Sequence, residues 1–274
     1  MLHTPRFHLL ALLLLLTPLL VARLQAQAAI AVDPALPRRG TLVRLTVAPT
    51  AVETVTGLLG EVAEEPLHFR SMDGVSWTSL AGIPISGDDS LSISLIVVRG
   101  DTRDTIHAAI AVINADYPTE HLRVAPRMAE PDSAARRRIA RETRRARAAS
   151  RAAHDTERLW SEPFVLPRED RITSEFGTGR EYNGKILSRH LGTDFEGAVG
   201  APVRATNRGR VVLVANFYLA GTVIYLDHGE GIVSAYFHLS RALVKLGDQV
   251  ERGQLIGRVG QSGRVTGPHL HWIM

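Results

Sequence analysis

The chain has 274 residues, of which 45% are hydrophobic, and its formal net charge is +4. That length suffices for two modest domains of about 100 to 150 residues each. Cysteine is absent, which excludes a disulfide framework, a thiolate metal site and a cysteine nucleophile, so a metal would have to be held by His, Asp or Glu. The positive charge is compatible with an acidic polymer as partner, and much of it lies in one arginine-rich stretch.

Residues 1–28 have the features of a secretory signal peptide. Arg6 precedes a largely apolar run from Leu9 to Leu20, and Ala26-Gln27-Ala28 supplies the small residues of a cleavage site. The apolar run is shorter than the roughly 20 residues that a membrane-spanning helix needs, which disfavours the alternative of an uncleaved anchor. We therefore predict secretion across the inner membrane, with the mature protein in the periplasm or cell envelope.

Residues 29–126 carry short β-type runs separated by turn residues. The segment Ser90–Ile96 alternates small polar with large apolar residues, which is typical of a strand with one buried face. We predict a small β-sandwich domain here, of immunoglobulin-like type. Its histidines, His68, His107 and His121, are scattered along the sequence and are expected to be ordinary surface or core residues.

Residues 127–162 are rich in alanine, arginine and glutamate. No glycine occurs between Pro131 and Trp160, and Asp132 or Ser133 can cap a helix, so we predict one long linker helix. Eight arginines are spread around most of its circumference: Arg136, Arg137, Arg138, Arg141, Arg144, Arg145, Arg147 and Arg151. No aromatic residues stand between them for base stacking, and nucleic acid is not expected as a partner. Two interpretations stay open: a solvated spacer, and an electrostatic contact with anionic wall polymer or phospholipid headgroups.

From residue 163 onward, short strands and glycine-containing turns predict an all-β domain over 163–274. Five of the eleven histidines lie after residue 189. His190 and Asp194 are separated by three residues that include a glycine, which allows the backbone to curl until both side chains converge. In a strand His269 and His271 would project from one face, a pattern that fits metal binding, acid-base catalysis or a structural pair.

Two further histidines lie in this predicted domain. His238 ends a predicted strand on the same face as Tyr236. Alone such a histidine is usually structural, but together with the two patterns above it favours a functional role. His228, in Asp227-His228-Gly229, falls in a predicted turn and is expected to be structural.

An ordered set of motifs runs from Ile172 to Met274. The motifs are Ser174-Glu175-Phe176-Gly177, His190-x-x-x-Asp194, Tyr236-Phe237-His238-Leu239, Val244–Val250, Gly253-Gln254 and Gly260–His271. This segment resembles the lysostaphin-like (LytM-type) zinc metalloendopeptidases of bacterial cell walls. The upstream sandwich and helix resemble the amino-terminal region of secreted members much more loosely.

The resemblance implies a LytM-type peptidase domain that cuts the peptide cross-links of peptidoglycan, in a chain that is mainly β. Residue by residue, His190, Asp194 and His271 match the ligands of a single zinc ion, and His238 and His269 match the catalytic histidines. Three protein ligands leave the fourth tetrahedral position for water, whose proton a neighbouring imidazole can take. Either His238 or His269 could be the base, with the other supporting the oxyanion.

Family members usually continue beyond the final His-x-His, whereas this sequence stops three residues after His271. We therefore expect either a chain that lacks its last strand residues or a strand with a loosely held end.

Two other functions compete with peptidoglycan hydrolysis. One is a catalytically silent family member that binds the wall or activates another hydrolase, although such proteins typically lose zinc ligands and here all three positions are filled. The other is a biotinyl- or lipoyl-like carrier, because Val244–Val259 has the glycine and valine pattern of those folds. The hairpin turn holds no lysine for attachment, and Lys185 and Lys245 are the only lysines in the sequence.

Overall fold

The computed structural model describes residues 29–48, 55–124 and 130–274, and the predicted signal peptide lies outside these ranges. β-Strands are the predominant regular structure of the described residues, as the sequence predicts. No helix in these ranges is long and apolar enough to cross a membrane.

Two four-stranded antiparallel sheets form the amino-terminal half. The first has the strand order β1 (Ala29–Asp33), β2 (Leu42–Ala48), β6 (Trp77–Gly82) and β5 (Arg70–Ser71), and the second has β4 (Glu65–Pro66), β3 (Gly57–Val62), β7 (Ser90–Arg99) and β8 (Thr102–Ala111). Both sheets contribute to one hydrophobic core, for example through Leu45 and Leu95. The predicted alternation is present in β7, where Ile93, Leu95 and Val97 are buried. The immunoglobulin-like assignment stays a prediction.

Within the described ranges one α-helix, α1, spans Ser133–Arg151 and continues as a 3₁₀ turn over Ala152–Asp155. Its N-cap is Asp132, whose carboxylate accepts a hydrogen bond from the backbone of Ala135. The helix is shorter than the sequence predicts. The backbone of residues 156–160 bonds to a neighbouring strand instead of continuing the helix, with Leu159 N donating to His228 O at 2.9 Å.

The carboxyl-terminal half is organised around a nine-stranded sheet with the main order β10-β13-β20-β17-β16-β15-β18, to which β14 and β19 are added. These strands are β10 (Ile172–Ser174), β13 (Thr193–Glu196), β14 (Pro202–Arg204), β15 (Gly209–Phe217), β16 (Gly221–Gly229), β17 (Ile232–Ala242), β18 (Gln249–Val250), β19 (Leu255–Val259) and β20 (His269–Ile273). Strand β20 is paired on both sides, with β13 and with β17. These pairings include Trp272 and Ile273, the last two residues of the strand.

Hydrophobic side chains cover both faces of this sheet. One face forms a core that includes Phe195, Tyr236 and Leu270, all fully buried. On the other face, Ala146 and Ala149 of α1 pack against a second cluster from β15, β16 and β17, which contains Leu213 and Tyr225.

A three-stranded sheet connects the two halves. Its strands are β9 (Thr119–Leu122), β11 (Gly179–Tyr182) and β12 (Lys185–Arg189), and β9 runs parallel to β11. Just before β9, Tyr117 donates a hydrogen bond to Arg39 O at 2.7 Å and packs edge-on against Phe176. Residues that precede α1 in the sequence thus pair with and pack against the carboxyl-terminal half.

Candidate metal centre

Three buried side chains converge on one point: His190, Asp194 and His271. His190 Nε2 lies 2.8 Å from His271 Nδ1 and 3.0 Å from Asp194 Oδ1, and His271 Nδ1 lies 2.8 Å from the same oxygen. Donor atoms of a tetrahedral zinc site lie about 3.3 Å apart, given bonds of 2.0–2.1 Å. The three atoms are therefore already close to the spacing of metal ligands.

Strand pairing accounts for two of the three positions, since Asp194 on β13 is the direct cross-strand partner of His271 on β20. His190 reaches them because the loop before β13 passes very close to β20. A Cβ atom on Gly192 would lie 2.5 Å from Trp272 O and 2.7 Å from the ring of His271. Only glycine fits this approach without displacement of one of the two chains.

The surroundings of His190 fix its protonation. Its Nδ1 lies 3.0 Å from the carbonyl oxygen of Glu175, which can only accept, so Nδ1 carries the hydrogen of the neutral ring. With a metal bound, its Nε2 then presents a lone pair to the centre. Burial raises the pKa of Asp194, but its contacts with the imidazoles of His190 and His271 outweigh burial and hold this pKa below its ordinary value. The carboxylate is therefore ionised and available to a cation.

Two further histidines lie beside the three donors. His269 Nε2 is 3.7 Å from Asp194 Oδ1, and the rings of His238 and His269 have centroids 4.9 Å apart. Each ring places Nδ1 against a backbone carbonyl, at 2.9 Å from Gly267 O for His269 and at 2.8 Å from Ser262 O for His238. In both neutral rings Nε2 is thus the nitrogen that can accept a proton.

His238 reaches this position through an irregularity in β17. Its φ of +60° is uncommon for a residue other than glycine, and the pairing register of β17 shifts around it. The prediction that His238 shares the face of Tyr236 is therefore wrong. Tyr236 is buried in the core with Leu270, whereas the ring of His238 lies beside His269 and 5.9 Å from that of His271. A positive φ rotates the side chain away from simple alternation.

Burial also sets the charge of these rings. It lowers the pKa of His238 to about 3, with further lowering by the neighbouring His269 and His271. Burial likewise lowers the pKa of His271 to about 4, although Asp194 opposes it. Both imidazoles are therefore neutral at neutral pH, as metal binding and proton acceptance require.

A groove of about 390 Å³ extends from Asp194 and His269 along the protein surface. The groove is lined by Glu120 and Leu122 of β9, by Arg180 and Tyr182 of β11, and by residues 264–268. Within this groove, Arg180 donates a hydrogen bond to Asp194 Oδ2. Sequence reasoning missed Arg180 and Glu120, because no motif links them to the histidines.

His228 lies outside this site. It is fully buried within β16, not in the predicted turn, and both ring nitrogens have partners. Nδ1 lies 2.7 Å from Arg208 O and Nε2 lies 2.7 Å from Ser234 Oγ. These bonds satisfy the ring and agree with a structural role.

The donor set fits a divalent metal. Two imidazole nitrogens and one carboxylate oxygen beside a groove match the composition of a catalytic zinc site with three protein ligands. His271 and Asp194 need no deprotonation at neutral pH, because the His271 ring is neutral there and Asp194 is ionised.

Comparison with known proteins agrees with this geometry. Residues 188–274 match peptidase family M23. Over 103 residues the chain is 45% identical to peptidoglycan DD-endopeptidase ShyA of Vibrio cholerae, an alignment that covers 37% of this chain and 24% of that protein. Over 99 residues it is 44% identical to glycyl-glycine endopeptidase ALE-1 of Staphylococcus capitis, covering 35% of this chain and 27% of that protein. The chain thus spans about a quarter of the length of these relatives.

A solved structure extends the likeness beyond the site. A crystal structure assigned to peptidase family M23, from Pseudomonas aeruginosa, superposes with a TM-score of 0.64 at 27% sequence identity. The superposition covers 86% of this chain and 88% of that protein. The motifs, the matched segment and this likeness agree, and residues 188–274 belong to a domain of peptidase family M23.

Proposed function

We propose that the chain is a zinc-dependent endopeptidase that hydrolyses the peptide cross-links of bacterial peptidoglycan. The observation that carries this proposal is the convergence of His190, Asp194 and His271 beside His238 and His269, next to a groove that Asp194 and His269 line. The names of the relatives support the substrate class, since one is a peptidoglycan DD-endopeptidase and another a glycyl-glycine endopeptidase.

In this proposal His190 Nε2, Asp194 Oδ1 and His271 Nδ1 hold one zinc ion. Zinc in such a site lowers the pKa of a bound water toward neutrality and polarises a carbonyl group. The contact of His190 with Glu175 O keeps the lone pair of its Nε2 directed at the centre, and the stacking of Phe237 on His271, with centroids 5.2 Å apart, holds the second ring.

His269 and His238 supply the acid-base chemistry. In each ring the contact of Nδ1 with a carbonyl oxygen leaves Nε2 as proton acceptor. Whichever ring takes the proton becomes an imidazolium, which can stabilise negative charge on the substrate oxygen and then return the proton to the leaving amine. The buried position of His238 favours its neutral state before the reaction, which suits an acceptor.

Zinc content of purified variants tests this assignment. The protein starting at Ala29 should bind about one zinc per chain, and His190→Ala and Asp194→Asn should each lose it. His107→Ala is the matched control, because His107 is an exposed histidine on β8. Stoichiometric zinc in both site variants would show that the ligands are wrongly assigned.

The chain's export is also part of the proposal. A peptidoglycan hydrolase must reach the cell envelope, and the predicted signal peptide over 1–28 supports secretion there. We retain the predicted division into a sandwich over 29–126, a linker segment over 127–162 that contains α1, and a peptidase domain over 163–274.

The arginine-rich helix supports an anionic partner in the envelope. The alanines of one side pack on the sheet, so seven arginines remain exposed: Arg136, Arg137, Arg141, Arg144, Arg145, Arg147 and Arg151. At 1.5 Å per residue they extend over about 22 Å. The single acidic residue of α1, Glu142, pairs with Arg138, which is not one of these seven arginines. Like charges along a helix repel one another. This uncompensated positive charge therefore favours contact with an anionic wall polymer over a role as a spacer.

A substitution series distinguishes these two roles. Replacement of Arg136, Arg137, Arg141 and Arg144 by glutamine should weaken binding to purified sacculi and flatten its salt dependence, since exposed charges are screened within about 8 to 10 Å. Hydrolysis of a small soluble peptide should not change. The control replaces four exposed arginines elsewhere, Arg44, Arg103, Arg210 and Arg241, by glutamine. Equal binding by the wild type and the helix variant at low and high salt would establish the spacer.

A further inference from the structure

The two carboxylate oxygens of Asp194 have different surroundings. Oδ1 faces the imidazole nitrogens of His190 and His271 at 3.0 and 2.8 Å. Oδ2 points the other way and accepts a hydrogen bond from Arg180 Nη2. The carboxylate is therefore held in one orientation, with a single oxygen directed at the candidate metal position.

Arg180 is itself held between two carboxylates. Its side chain is only 16% exposed, and Nε, which makes no hydrogen bond, lies 3.8 Å from Glu120 Oε2. Nη2 also lies 3.4 Å from Ser174 Oγ. A guanidinium in so buried a place is costly unless anions compensate its charge, and Asp194 and Glu120 provide that compensation.

Glu120 reaches Arg180 because of the parallel pairing of β9 with β11. In that register Glu120 is the direct partner of Arg180. Strand β9 precedes α1 in sequence, and neither residue lies within the segment 188–274 that matches the peptidase family. Strand β9, which precedes α1, thus contributes a residue beside Arg180, and Arg180 donates to the candidate ligand Asp194.

We propose that Arg180 is a positioning residue for Asp194, and that Glu120 of β9 holds Arg180 in place. This inference rests on the proposed zinc site. By occupying Oδ2, Arg180 leaves Oδ1 as the only oxygen of this carboxylate that faces the metal. Without it, the carboxylate is free to rotate and to bind the metal through both oxygens.

Loss of a hydrogen-bond partner behind a metal ligand typically lowers metal affinity by about 10- to 100-fold. The positive charge of Arg180 has an opposite effect, because it repels a cation, but Glu120 offsets that charge at 3.8 Å. Orientation should therefore outweigh repulsion, so removal of Arg180 should weaken zinc binding. Lysine cannot reproduce the planar guanidinium that donates to Asp194 and lies 3.8 Å from Glu120, so Arg180→Lys should recover only part of the affinity.

The test is a zinc competition titration with a chromogenic chelator. Arg180→Ala should bind zinc about 10- to 100-fold more weakly than the wild type, Arg180→Lys should lie between them, and Glu120→Gln should lose about fivefold or less. Arg171→Ala is the matched control, because Arg171 pairs with Glu196 on β13 at 3.0 Å but both side chains are exposed. The control should bind zinc like the wild type.

The cobalt(II) form gives a second readout. Binding through both oxygens of Asp194 raises the coordination number, so the visible absorption of cobalt-loaded Arg180→Ala should be weaker than that of the wild type. Unchanged zinc affinity and an unchanged spectrum in Arg180→Ala would overturn the inference, as would tighter binding. If that variant does not fold, Arg180→Lys decides by the same two measurements. A wild type that binds no zinc would instead refute the proposed function.

Discussion

Gly192→Ala should damage the metal centre without changing any candidate ligand. The added Cβ would lie 2.5 Å from Trp272 O and 2.7 Å from both Cε1 and Nε2 of His271. Ordinary contacts between such atoms are about 1 Å longer, so the loop before β13 or strand β20 must move by a comparable distance. His190 and Asp194 lie on either side of Gly192 and would move with the loop, whereas His271 lies on β20.

The size of this movement sets the expected effect. Metal–ligand distances tolerate deviations of about 0.2 Å, and functional sites generally need positions held within about 0.5 Å. A shift near 1 Å exceeds both limits, so we expect zinc affinity to fall by at least about tenfold, the lower end for disturbed support of a metal site. The overall fold should persist, because the change lies in a loop.

Zinc competition titration measures this effect, with thermal unfolding as the check on folding. Gly267→Ala is the matched control. Gly267 lies two residues before His269, and a Cβ there meets no atom within 4 Å. Zinc binding by Gly192→Ala equal to that of Gly267→Ala and the wild type would refute the role assigned to the close approach.

Three further predictions concern catalysis, packing and pH. His269→Ala should retain zinc and lower turnover by about a hundredfold or more, the scale of lost acid-base help; loss of metal instead would make His269 a ligand. Leu270→Ala should lower the free energy of unfolding by about 2–5 kcal/mol in denaturant titrations, because Leu270 is fully buried; a change below about 1 kcal/mol would contradict that packing. The metal-free protein should lose stability in thermal unfolding as the pH falls from about 6.5 toward 4, because burial lowers the pKa values of His238 and His271 to about 3 and 4, so the unfolded chain binds more protons there. As the pH is lowered, the free energy of unfolding should fall by up to about 1.4 kcal/mol per pH unit for each histidine. A free energy of unfolding that does not change with pH would contradict the assignment.

Local patterns predicted those features that local chemistry determines. Alternation in Ser90–Ile96 indicated a half-buried strand, and β7 buries Ile93 and Leu95 as that pattern requires. The spacing of His269 and His271 likewise places both rings on one side of β20, because strand geometry alone decides it.

Features that depend on distant contacts were not predictable in this way. Helix α1 ends before Trp160 because residues 156–160 find backbone partners next to β16. His238 faces the site because a positive φ breaks the alternation that its sequence suggests. Arg180 and Glu120 meet only through the pairing of β9 with β11, which joins segments on opposite sides of the helix.

The central claim is metal-dependent hydrolysis of peptide cross-links, and digestion of purified sacculi tests it most directly. The wild type should release muropeptides that are cut at a peptide bond, which mass spectrometry identifies. A chelator and Asp194→Asn should each abolish release, and added zinc should restore it only to the chelated wild type. A zinc-loaded wild type that binds sacculi and releases no fragments would contradict the account and establish a catalytically silent wall-binding protein.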